Sequence, residues 1–169
     1  MMKILLPVDG SSNSLKAARH VVNRFLESGA MEVHLLHVRQ PFSQHVARFS
    51  SARSRAAYHR EAAERALATA RELLSRFGVP HAEHVELGDR AETITRVAER
   101  LGVSEIVMGT ARKNTLTRLL EDSVTHRVLK NAPAPVVVVA GGSVSNLEHL
   151  GVPAGIAAAV IALLALAME

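Results

Sequence analysis

Residues 104–140 read SEIVMGTARKNTLTRLLEDSVTHRVLKNAPAPVVVVA. An apolar run through Ile106, Val107 and Met108 stops at Gly109 and gives way to a basic loop carrying Arg112 and Lys113. A helical segment, Ser123–Asn131, follows, and a second apolar run, Pro135–Ala140, comes in behind Pro133. Strand, glycine turn, helix and strand in this order predict a parallel α/β unit. In such a unit the turn after the strand directs backbone N–H groups at an anion, because strand ends and helix N-termini meet there.

Outward from this unit the same alternation continues. Lys3–Val8, Met31–Val38, His81–Leu87 and Ser104–Gly109 join Pro135–Ala140 as short aliphatic runs bounded by Gly, Pro, Asp or Ser. Between them lie stripes at helical spacing: Leu15, Ala18, Val22, Phe25 and Leu26 after the cap-rich Ser11–Ser14; Ala63, Ala66, Leu67, Ala70, Leu73, Leu74 and Phe77; and Ile94, Val97, Ala98 and Leu101. Gly29, Gly78 and Gly102 mark where the stripes stop. Strands apolar on both faces, separated by helices, imply a Rossmann-like three-layer α/β fold with a buried parallel sheet.

Composition narrows the classes further. The 169 residues allow one core domain, residues 1–141, and an appendage: a linker at 142–151 and a hydrophobic segment at 152–168. With no cysteine, disulfides and thiolate metal sites are excluded. The net charge of +4 is mild, and aromatic residues make up 3%, too few for a base-stacking nucleic-acid surface. No nucleic-acid partner is expected. The apolar run Ile4–Val8 is too short for a signal peptide, so the expected location of the main domain is the cytoplasm. Arg39–Arg60 holds arginines and no acidic residue, and reads as a solvated loop running into a helix.

The tail is apolar all round. Residues 150–168 carry no charged side chain, and nineteen residues of helix span about 28 Å, close to a hydrocarbon core. Its alanines contribute little to insertion, and Lys, Arg, Trp and Tyr anchors are missing from its flanks. The expectation is a C-terminal membrane anchor, with a packing helix as the alternative.

Together, MKILLPVDGSS at the start, IVMG at 106–109 and APAPV at 132–136 resemble the universal stress protein family over residues 2–140. The resemblance implies a five-stranded parallel sheet of order 3-2-1-4-5 and a homodimer formed through the last strand, here Val136, Val137, Val138 and Val139. It also implies an ATP site in many members, with the frame Gly-x2-Gly-x9-Gly-Ser/Thr. On this chain Asp9 matches the adenine-contacting aspartate and Val38 a backbone position that reads the adenine edge. Gly109 matches the first loop glycine and Ser123 the final Ser/Thr. Arg112 and Asp122 stand where the other two glycines would be. Asp9 beside Gly10 also suits a plain turn.

The departures bear on the phosphates. Arg112 adds bulk where glycine would give access. Asp122 and Glu121 place carboxylates at the anion position, and Asp122 suits the N-cap of the helix that follows. The expected function is therefore a non-enzymatic regulatory or adaptor module with no cofactor, tethered to the membrane and acting on a membrane-protein partner. The alternatives are an ATP or other adenine-nucleotide switch and a slow nucleotide hydrolase. His34/His37 and His81/His84 are three apart on strands, so each pair faces opposite ways and no metal site is expected.

Overall fold

The computed structural model describes residues 1–41, 51–110 and 123–140. The strands are β1 (Met2–Pro7), β2 (Met31–Arg39), β3 (His81–Leu87), β4 (Glu105–Thr110) and β5 (Val136–Ala140). All pair in parallel, in the order β3-β2-β1-β4-β5 expected from the sequence. The helices are α1 (Ser12–Ser28), α2 (Ala52–Arg76), α3 (Arg90–Leu101) and α4 (Val124–Asn131).

Strand alternation divides the core in two. Ile4, Leu6, Val33, Leu35 and Val107 face α1 and α2, where Val21, Leu67 and Leu74 cover them. Leu5, Leu36, Ile106 and Met108 face α3 and α4, meeting Ile94, Val97 and Val128. Each large aliphatic so buried contributes about 1.5–3 kcal/mol, which is why these strands read as continuous apolar runs.

Helix starts follow their caps. Ser11 Oγ accepts from Ser14 N at 3.2 Å, Ser51 Oγ from Ser54 N at 3.0 Å, and Asp89 Oδ1 from Glu92 N at 3.1 Å. The cap at Ser51 starts α2 well before its apolar stripe, so Arg53, Arg55 and Arg60 already lie on the helix into which this stretch runs. Leu26 is 61% exposed and Phe77 41%, contrary to their place in the stripes. From Ala18 through Val22 to Leu26, steps of four at about 100° per residue drift off the buried face.

No helix among the described residues is long and apolar enough to cross a membrane. The hydrophobic segment 152–168, the linker before it, and Arg112, Glu121 and Asp122 lie outside the described residues.

Candidate functional site

In a doubly wound sheet the connections from two neighbouring strands leave on opposite faces, and a crevice opens at their carboxyl ends. Here those strands are β1 and β4. A cleft of about 280 Å³ lies there, lined among others by Val8, Asp9, Asn13, Val38, Arg90, Ile94, Met108, Gly109, Thr110, Val124 and Thr125. Asp9, Val38 and Gly109, far apart in sequence, thus share one cleft.

Asp9 opens the turn from β1 into α1. Its Oδ1 accepts the Ser11 backbone N–H at 3.0 Å. Gly10, at φ 80°, makes the turn possible and sits close against Ala66. Burial pushes the Asp9 carboxyl up, but hydrogen bonds from Ser11 and Ser14 outweigh it and hold the group below its ordinary value. Asp9 is an exposed, ionised acceptor with lone pairs to spare beyond the Ser11 bond.

Val38 presents backbone. Residues of a parallel strand alternate in the neighbour they bond. Val33 donates to Pro80 and Arg39 accepts from Gly88 on the β3 side, whereas Leu36 accepts from Val8 on the β1 side. Val38, two beyond Leu36, therefore turns its N–H and C=O toward β1. Pairing with β1 ends at Pro7↔Leu36, and the Val8 carbonyl is taken by His37 Nδ1 at 2.9 Å. A donor and an acceptor of β2 are thereby directed toward the cleft, past the last residue pair with β1.

Gly109 has a packing role. A Cβ there would stand 2.0 Å from the Asn13 carbonyl oxygen and 2.9 Å from Ser14 N. The absent side chain lets the end of β4 lie against the first turn of α1, which forms one wall of the cleft.

Ser123 is outside the cleft lining and caps α4, its Oγ accepting from His126 N at 3.1 Å. The capping position is therefore Ser123 and not Asp122: its hydroxyl already satisfies the third helical N–H. The next residues, Val124 and Thr125, reach the cleft. The Arg127 guanidinium ties α4 to the start of α3, with Nη1 and Nη2 donating to Asp89 Oδ2 and Oδ1 at 3.0 and 2.9 Å. Val136–Val139 lie on the edge strand, away from the cleft.

Arg90, Asn13 and Thr110 went unnoticed in the sequence. The Gly88-Asp89 pair ahead of an apolar stripe did signal a helix start, but only the crossover reveals that this start reaches the ends of β2 and β4. The histidines hold another surprise. His34 and His37 do face opposite ways, yet His34 Nδ1 meets His84 Nε2 on the neighbouring strand at 3.0 Å. Among the described residues no group of three or more His, Cys, Asp or Glu is arranged to hold a metal ion.

Known proteins share this fold. The universal stress protein family matches residues 1–140. Universal stress protein MJ0531 of Methanocaldococcus jannaschii is 36% identical over 144 residues, covering 81% of each chain. The solved structure of MJ0577 superposes with a TM-score of 0.68 at 31% identity, covering 84% of this chain and 97% of that one. A universal stress protein from Arabidopsis thaliana, solved with AMP bound, shares the fold at a TM-score of 0.59 and 17% identity, covering 83% of this chain and 92% of that one. The sheet order and a family match over residues 1–140 agree, and the chain belongs to the universal stress protein family.

Proposed function

We propose that the domain is a non-enzymatic regulatory module whose cleft takes an adenine nucleotide. The carrying observation is Val38, whose N–H and C=O point past the end of the β1 pairing, beside the Asp9 carboxylate in one cleft. Adenine offers a ring-nitrogen acceptor next to an amino donor, which a strand's adjacent N–H and C=O can match. Ile94 and Met108 supply the apolar surface a flat base needs. Asp9, an acceptor held ionised, suits a ribose hydroxyl or the exocyclic amine. This convergence gives the nucleotide-switch reading precedence over an adaptor that binds none.

Turnover is not part of the reading. Asp9 is the one carboxylate among the described residues lining the cleft, and alone it offers no acid–base pair to a phosphoanhydride. Calorimetry on the full-length protein should give AMP binding with a Kd on the order of 100 µM, about 5.5 kcal/mol. Asp9→Asn keeps an acceptor for the Ser11 N–H while removing the charge, and should weaken binding tenfold or more without unfolding. Undetectable binding of both AMP and adenosine at millimolar concentration would refute the proposal.

Membrane attachment is a separate proposal, resting on the uncharged stretch 150–168. Under it the full-length protein resists alkaline extraction and truncation after Gly142 releases it. A full-length protein soluble without detergent would make the tail a packing helix, and the membrane-partner reading would go with it.

A further inference from the structure

We infer that His37 positions the adenine edge of the cleft from behind, by holding the Val8 carbonyl away from the Val38 N–H. This rests on the adenine-nucleotide reading and deepens it. His37 is half-buried and does not line the cleft. Strand alternation sets it with Val33 and Leu35 on the face of β2 that meets α1 and α2, whereas Val38 falls on the α3 face. Its Nδ1 lies 2.9 Å from the Val8 carbonyl oxygen. A carbonyl only accepts, so Nδ1 carries the hydrogen and donates.

That bond stands in the place of another. Val8 N–H donates to the Leu36 carbonyl at 2.8 Å, and in a parallel ladder the Val8 carbonyl would next accept from Val38 N–H. With that bond the pairing would run on to Val8↔His37, but it stops at Pro7↔Leu36. Val8 is only 4% exposed, so leaving its carbonyl without a donor would be destabilising. Two N–H groups compete for it, one from the backbone of Val38 and one from the imidazole, and the imidazole holds it. The ladder thereby ends one step early, at the residue before Asp9, with no orphaned carbonyl. Two consequences meet in the cleft. The Val38 N–H keeps its direction toward β1 with no β1 acceptor on it, which leaves it to a ring nitrogen of adenine. The Val8 carbonyl, tied to β2 by a side chain, also fixes the entry to the turn through Asp9 and Gly10. A ladder longer by one bond would take the Val38 donor away from the base.

The test uses full-length wild type, His37→Phe, which keeps a flat ring but no donor, and His37→Asn, which drops the ring but can offer an amide N–H to the Val8 carbonyl. Calorimetry with adenosine and AMP reads the cleft, and amide hydrogen exchange at Val38 reads the ladder. His37→Phe should weaken both ligands by about tenfold, the scale of one lost hydrogen bond, and by the same factor, because the loss lies at the base. Without ligand, the Val38 amide should exchange more slowly in His37→Phe than in wild type, as the Val8 carbonyl takes it up. His37→Asn should recover most of the affinity and the wild-type exchange. If His37→Phe binds as well as wild type, the side chain only fills space and the inference is overturned. It is equally overturned if His37→Asn, folded by circular dichroism, binds as poorly as His37→Phe, or if Val38 exchange is the same in His37→Phe as in wild type. Should His37→Phe fail to fold, His37→Ala serves as the donorless variant with the same outcomes. Wild type binding neither ligand removes the adenine reading and this inference with it, whereas tight binding that the donorless variant leaves untouched removes the inference alone.

Discussion

A methyl group at Gly109 would stand 2.0 Å from the Asn13 carbonyl oxygen, a distance no side chain sustains. Gly109→Ala must therefore push β4 and the first turn of α1 apart, and overpacking of this kind costs about 1–3 kcal/mol. Urea denaturation should show a lower midpoint even without ligand. A variant as stable as wild type would mean that the two elements separate freely. His34 makes a second prediction at this scale. It is buried, with Glu32, His84 and Lys3 around it and no hydrogen bond on Nε2. Burial lowers its pKa below the ordinary 6.5; Glu32 opposes this, while His84 and Lys3 reinforce it. A histidine with a depressed folded pKa supports the fold fully above 6.5, and that support is lost as pH falls from there through the folded value. Thermal stability should thus drop as pH falls below about 6.5, and His34→Gln should flatten that part of the profile. A wild-type profile without a slope in this window would rule the account out. Of the cleft lining, Asp9, Val38 and Gly109 were named through the family resemblance, whose matching residues sit at strand ends and in the turn after β1. Arg90 was not, since only the pairing of β2 with β3, which sets Val38 opposite Glu86, brings it to the cleft.

At the scale of elements, α4 packs on α3 through the apolar core around Val128 and is bridged to its start by Arg127, which meets Asp89 and, at 3.5 Å, Glu92. Asp89 both caps α3 and receives Arg127; Arg127 only bridges. The guanidinium of Arg127 comes first in holding the Asp89 carboxyl below its ordinary range, followed by the Glu92 N–H. Both side chains are more than a third exposed, so the bridge itself is worth at most about 1 kcal/mol after solvent screening. The cap adds about 0.5–2 kcal/mol. Chemical denaturation should therefore rank the losses Asp89→Ala above Asp89→Asn, with Arg127→Ala close to Asp89→Asn. If Arg127→Ala costs as much as Asp89→Ala, the bridge outweighs the cap and the ordering fails. Helix ends were legible wherever a cap bounded an apolar stripe, before it at Ser11 and after it at Gly102. The start of α2 was not, because Ala52–Arg60 shows charge without an apolar face and its signal is the Ser51 hydroxyl alone.

For the whole molecule, the sheet order exposes two edges, β3 and β5, and they differ in kind. Along β3, Glu83 and Glu86 pair with Arg71 and Arg100, and charged side chains of this sort discourage edge-to-edge association. β5 is Val-Val-Val-Val-Ala, with no charge to keep a second strand away. Its faces are also distinct. Val137 and Val139 pack on the core beneath α1, and Val136 on the core beneath α3, while Val138 is 38% exposed. Pairing of β5 with a second copy would remove that edge from water, so a homodimer through β5 is expected. Val138→Lys should then yield a folded monomer, because it adds a charge at the least buried position of the strand. Val137→Lys should unfold the protein instead, since it drives a charge into the α1 core. Val85→Lys on the other edge should leave association unchanged, although Val85 is itself 42% exposed. Sedimentation at tens of micromolar, about the range where a modest interface still associates, separates these outcomes. Wild type sedimenting as a monomer, or a dimer that survives Val138→Lys but not Val85→Lys, would transfer the interface away from β5.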